Sequence, residues 1–167
     1  MISPERFPAP CWQFDHLSVN ADMRSSNALG LAALLSLKAG YRPPFPFSGH
    51  WLYQGKDAVV HVIDQATPGD GVQLNHIAFR SDKSLGEAMS EVVASSFPYR
   101  AVRIPESRVV QIFVRVSDSL LIELDIQGQD DDPPIHEYRD ADDQPQITRR
   151  SGFTSLTPAT PHPGDSK

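Results

Sequence analysis

Four side chains able to ligate a metal recur at two equivalent places along the chain. His16 lies in Asp15-His16-Leu17-Ser18-Val19, and His76, sixty residues on, lies in Asn75-His76-Ile77-Ala78-Phe79. Each stretch is a short alternating strand that begins with an acid or amide and then a histidine. Val59-Val60-His61-Val62-Ile63 is likewise matched by Leu121-Ile122-Glu123-Leu124-Asp125, so His61 pairs with Glu123. Imidazole nitrogens and a carboxylate suit one divalent ion, Fe, Zn, Ni, Mn or Co. His16, His76 and Glu123 alone would make a two-histidine, one-carboxylate face with positions left open for substrate or oxygen. Such an ion polarises a carbonyl or acidifies bound water. A lone strand histidine is more often a hydrogen-bonded structural residue, and Glu123 could instead pair with Arg115 or Arg103. What favours the metal is that four residues fill two positions, each used twice.

The elements that must position them repeat as well. Ala28, Leu31, Ala32 and Leu35 fall at helical spacing after the first strand, with Gly40 as the stop. After the second, Ser84 and Glu87 form a capping box, and Leu85, Ala88, Met89, Val92 and Val93 line one face. Tyr41-Arg42 follows the first helix and Tyr99-Arg100 the second. Each half then closes with a hairpin, from Trp51-Leu52-Tyr53 to the strand of His61, and from Gln111-Ile112-Phe113-Val114 to the strand of Glu123. Each half is therefore β-α-β-β-β. The repeat interval grows by two between Trp51/Gln111 and His61/Glu123, which predicts a longer second hairpin; an even insertion leaves every side chain on its face.

Strand parity sorts the faces. Leu17, Val19, Leu52, Val60, Val62, Ile77, Phe79, Ile112, Val114, Ile122 and Leu124 share faces suited to packing under helices. The opposite faces mix His16, Ser18, Trp51, Tyr53, His61, His76, Ala78, Gln111, Phe113, Arg115, Glu123 and Asp125, as a ligand cavity does and a solvent face does not. The expected architecture is α+β: two modules related by a pseudo-two-fold, forming one cupped mixed sheet with helices outside and the four ligand candidates inside. Trp51, Tyr53, Gln111, Phe113 and Arg115 are the candidates for substrate binding. His50 falls on the packing parity and is not assigned as a ligand.

Size and charge narrow the class. The 167 residues, 40% hydrophobic and 22% charged, suffice for one domain with a core or two small units sharing one. Residues 1–12 read as an extension and 13–127 as the body (modules 13–64 and 75–127, linker 65–74). Residues 128–167 read as an acidic, proline-rich tail, disordered or laid over a partner subunit, with His136 and His162 exposed. A net charge of −6 argues against nucleic acid or anionic membrane as a partner. No long apolar run or signal-peptide pattern is found, and the single cysteine, Cys11, makes no internal disulfide. A reducing cytoplasm and a small-molecule substrate fit these features.

At these residues the sequence resembles the vicinal oxygen chelate superfamily, which contains glyoxalase I, extradiol dioxygenases, methylmalonyl-CoA epimerase and bleomycin-binding proteins. The resemblance runs from about Phe14 to Ile126. It is carried by Arg42-Pro43-Pro44-Phe45-Pro46-Phe47-Ser48-Gly49-His50-Trp51-Leu52-Tyr53 together with the stretches around His61, His76 and Glu123. It implies that His16, His76 and Glu123 are metal ligands. It implies for His61 either a further ligand or an acid/base beside the metal, so that Glu123 and His61 are the catalytic candidates. It also implies a homodimer. Val116-Ser117-Asp118-Ser119 replaces the family's usual Asp-Pro-x-Gly turn, Phe113 stands where extradiol dioxygenases carry a tyrosine, and the first helix lacks the usual Phe-Tyr pair. The function implied is metal-dependent chemistry of glyoxalase or dioxygenase type, isomerase/lyase or ring-cleaving. The alternative is a non-catalytic small-molecule binder on the same fold.

Overall fold

Alternating side chains, apolar on one parity, build eight strands in the computed structural model, which describes residues 12–146 and 153–154. Cys11 and His162 lie outside the described residues. The first module is β1 (Gln13–Ala21), α1 (Ser26–Leu34), β2 (Lys38–Ala39), β3 (Gly49–Gln54) and β4 (Asp57–Asp64). The second is β5 (Gln73–Ser81), α2 (Leu85–Ala94), β6 (Tyr99–Arg103), β7 (Val109–Ser117) and β8 (Leu120–Gln127). They share one mixed sheet in the order β2-β3-β4-β1-β5-β8-β7-β6, two copies of one four-strand unit joined at β1 and β5. β1 pairs with β4 in parallel, and β5 with β8 likewise. The seam between β1 and β5 is antiparallel, with Leu17 opposite Ile77 and Ser18 opposite His76. Two modules within one chain therefore complete the sheet, as the α+β expectation requires.

The packing parity holds. Val19, Leu52, Val60 and Val62 bury against Ala28 of α1, and Val110, Ile112, Val114 and Ile126 bury against Leu85, Ala88 and Val92 of α2. Both helices start at a serine cap, the second at the expected capping box. Ser25 Oγ accepts from the Ala28 amide at 3.1 Å, and Ser84 with Glu87 forms the reciprocal box.

Three local expectations change. α1 ends at Leu34, well before Gly40, because the chain turns away through Ser36 at φ 54°. Leu35 therefore leaves the buried stripe, as does Val93 of α2. Gly40 serves the sheet instead: a Cβ there would lie 2.6 Å from the Tyr53 ring. The hairpins are also of equal length, since Trp51 pairs with His61 and Phe113 with Glu123. The two extra residues enter ahead of β7, and parity is unaffected.

The chain reaches β5 through residues 65–72, where Gly69 and Asp70 take positive φ and Ser26 and Asn27 of α1 bond to Asp70. Residues 128–146, expected to be disordered or laid over another subunit, fold back across the open face of their own sheet. Tyr138 is the reason. Its ring buries with Val102, Phe113 and Leu121, against Phe45 and Phe47. Backbone bonds from Arg103 to His136 and from Tyr138 to Arg103 pin the strap to β6, while His136 stays exposed as expected. Among the described residues no helix is long and apolar enough to cross a membrane.

Ile112→Ala, which empties a fully buried site, is expected to cost about 2–5 kcal/mol in urea unfolding. Leu34→Ala, at a side chain 80% exposed, should stay within about 0.5 kcal/mol.

Candidate metal centre

The four central strands each bring one candidate to the concave face: His16 from β1, His76 from β5, His61 from β4 and Glu123 from β8. The seam makes the key approach. His16 Nε2 and His76 Nε2 stand 3.4 Å apart, and Glu123 reaches them with Oε1 at 3.6 Å and Oε2 at 2.9 Å respectively. Each of the three is at most 3% exposed.

Each donor is fixed from behind. His16 Nδ1 contacts Asp15 Oδ2 at 2.8 Å, and Arg80 donates to the other oxygen of Asp15. His76 Nδ1 donates to Asn75 Oδ1 at 2.7 Å, and Asn75 in turn donates to Asn20 and to the Pro145 carbonyl, each at 2.8 Å. Gln111 Nε2 donates to Glu123 Oε1 at 2.6 Å, and Tyr138 donates to Gln111 Oε1 at 2.7 Å. The far nitrogen of each histidine is thus engaged, which leaves the facing nitrogens with free lone pairs when the rings are neutral. Three donor atoms within 4.8 Å of one another, all buried and oriented by neighbours, fit a single divalent ion.

His61 is placed differently. Its ring stacks on His16 at 3.5 Å between centroids and on Trp51 at 3.9 Å, so it lies beside the three-donor cluster and is not one of its members. Its Nε2 is buried with no partner. Burial, then the charges of His16, His76 and Arg42, hold His61 well below the usual histidine range. Burial and the His16 charge do the same for His76. Burial also opposes charge on His16, but its bond to Asp15 and the nearby carboxylates outweigh this and raise its pKa. Glu123 is raised mainly by burial. Asp125 is pushed well above the carboxylate range by burial and by the Glu123 carboxylate, with which it shares a hydrogen bond.

Among the proposed substrate contacts, Trp51 and Gln111 line the cavity beside the donors. Phe113 is wholly buried under His76, and Arg115 holds the strap by bonding Gln146 O and covering the Phe153 ring. Tyr53 lies away from the cavity and donates to the Tyr41 carbonyl. Sequence reasoning missed Asn75 as a support, although it precedes His76 as Asp15 precedes His16. It also missed Tyr138, whose low-complexity surroundings carried no periodic signal. The cavity is about 30 Å³, lined also by Ser18, Arg42, Phe45 and Phe47 and closed by Tyr138 and Pro145.

No family model matches the chain, and neither does any curated protein. Solved structures do. Methylmalonyl-CoA epimerase from Mycobacterium tuberculosis superposes with a TM-score of 0.53 at 11% identity, over 75% of this chain and 95% of that one. The chain has the vicinal oxygen chelate fold. The 2,3-dioxygenase LapB from Pseudomonas sp. KL28 aligns with a TM-score of 0.51 at 12% identity, over 69% of this chain. The chain spans 40% of that dioxygenase's length. At these identities the likeness is one of fold.

His76→Ala is expected to abolish divalent-metal binding while the circular dichroism spectrum is kept, because the packing face is untouched. Gln111→Ala, which strands both the Tyr138 hydroxyl and one Glu123 oxygen, should cost about 1–3 kcal/mol in chemical denaturation.

Proposed function

We propose that the protein is a divalent-metal-dependent enzyme of glyoxalase or dioxygenase type, with His16, His76 and Glu123 holding the ion and a small oxygen-bearing substrate completing its coordination. The convergence of three buried, individually supported donor atoms carries this reading. A bound ion would supply Lewis acidity at the substrate's oxygens.

The chain's own part follows from its neighbours. A neutral His61, held from protonation by burial, faces the cavity with an uncommitted Nε2 and is placed to take a proton from a substrate hydroxyl or carbon acid. The stack of Trp51, His61 and His16 keeps that nitrogen in one orientation. Gln111 restrains the Glu123 carboxylate, and Tyr138 and Pro145 of the strap narrow the cavity. Phe113 gives β7 no phenol, which favours proton-transfer chemistry of isomerase or lyase type over ring cleavage. The rival reading, a binder that sequesters a hydrophobic molecule, is disfavoured by the donor set: three buried donors, each held from behind, have no part in capturing an apolar ligand.

Elemental analysis of protein purified without chelator or nickel affinity should find near one equivalent of metal, lost in His16→Ala and Glu123→Ala. No metal in the parent after reconstitution would sink the reading. Affinity should also fall as pH is lowered through the region above 6.5, because the raised pKa of His16 makes protons compete there, whereas His76, held low, does not. Chelator competition across a pH series measures this, and a flat profile down to pH 6.5 would contradict it.

A further inference from the structure

The polar lining of the cavity extends beyond the three donors. Arg42 enters it from the connection between β2 and β3. Its guanidinium lies over the Phe45 and Phe47 rings, 5.0 and 5.2 Å from their centroids, and donates to the Phe47 carbonyl. Among the described residues no carboxylate forms an ion pair with it. Asp64 acts on it only through space, its carboxylate being engaged by Ser48 and by His50 Nε2 at 3.5 Å. A partly desolvated cation that no carboxylate contacts is costly, and the cost is relieved by an anion.

Two further atoms in the same cavity are unmatched. Ser18 Oγ and His61 Nε2 are buried without hydrogen-bond partners, in side chains 0% and 8% exposed. They are neighbours: Ser18 faces His61 across β1 and β4 and His76 across the seam. Buried polar atoms are paired as a rule, so two orphans in one cavity with a cation that no carboxylate contacts describe the complement of a ligand. Water in a space of this size could satisfy the hydroxyl and the imidazole, but it brings no charge to Arg42. The His61 ring also bonds the Ala58 backbone, which leaves Nε2 of the neutral ring an acceptor, able to receive a hydroxyl proton and unable to bind an anion.

We infer that Arg42 and Ser18 form a carboxylate subsite beside the metal ligands, and that the substrate is a small hydroxycarboxylic acid whose hydroxyl faces His61 Nε2. The guanidinium provides two parallel donors for the carboxylate and the Ser18 hydroxyl a third. The inference deepens the metalloenzyme reading and rests on it only for the ion that takes the substrate's other oxygens.

Glycolate and its neutral isostere glycolamide are the probes, titrated calorimetrically into the full-length protein, metal-free and metal-loaded, with metal content measured in parallel. The wild type should bind glycolate at least tenfold more tightly than glycolamide. Arg42→Gln should erase that preference while leaving glycolamide affinity unchanged, and Arg42→Lys should restore part of it. Ser18→Ala, which leaves the Phe45–Phe47 loop alone, should reduce the preference even if Arg42→Gln fails to fold. Equal affinity of the wild type for the two probes, no measurable glycolate binding, or a preference that survives both Arg42→Gln and Ser18→Ala would overturn the subsite. An Arg42-dependent preference in a protein that takes up no metal would keep the subsite and remove the metalloenzyme reading. Metal uptake without the preference would do the reverse.

Discussion

The antiparallel pairing of β1 with β5 is the constraint on which the site depends. The seam brings Ser18 opposite His76 and sets two imidazole nitrogens 3.4 Å apart, although the residues lie sixty positions apart in sequence. A one-residue slip would turn every side chain of one strand to the other face, carrying His76 under α2 and Ile77 into the cavity. Register is secured by the hydrophobic faces. Val19 and Val62 on one side and Ile112 and Val114 on the other can bury only in this alignment. The polar cluster is thus held in place by aliphatic residues packed under the helices.

Such a cluster is expensive to bury. His16, His76, Glu123 and Asp125 come together in a low-dielectric setting, where hydrogen bonds offset part of the cost. The bond to Asp15 and the nearby carboxylates raise the pKa of His16, and burial raises those of Glu123 and Asp125, so all three hold protons to higher pH than usual. A metal ion would compete with those protons for donor atoms that the bonds from Asp15, Asn75 and Gln111 already orient.

The ligand positions were legible because they rest on periodicity. Parity along β1, β4, β5 and β8 is a local property, and the internal repeat doubled its statistical weight. The capping box of Ser84 and Glu87 was equally local. What sequence did not reveal depends on contacts between distant segments. Tyr138 lies in an acidic, proline-containing stretch, and only the tertiary pocket formed by Phe45, Phe47 and Leu121 gives its ring a place to bury. The end of α1 turned on a backbone choice at Ser36 that no composition rule favours, since glycine is the usual residue at positive φ. Tyr53 shares a strand with Trp51, which does line the cavity, but the register shift between Leu52 and Tyr53 interrupts the parity there, and the Tyr53 hydroxyl donates to the Tyr41 carbonyl instead.

The connection of residues 65–72 has a consequence for assembly. The seam joins two like modules, and nothing in its hydrogen bonds distinguishes a β5 of the same chain from that of another. What distinguishes them is effective concentration. A tether of this length presents the second module at roughly millimolar levels, above the concentration of any free copy in ordinary solution. The hook of Ser26 and Asn27 on Asp70 adds a preset direction to that tether. Shortening the connection until it cannot span the turn would hand the same seam, unchanged in every contact, to a reciprocal exchange of modules between two chains.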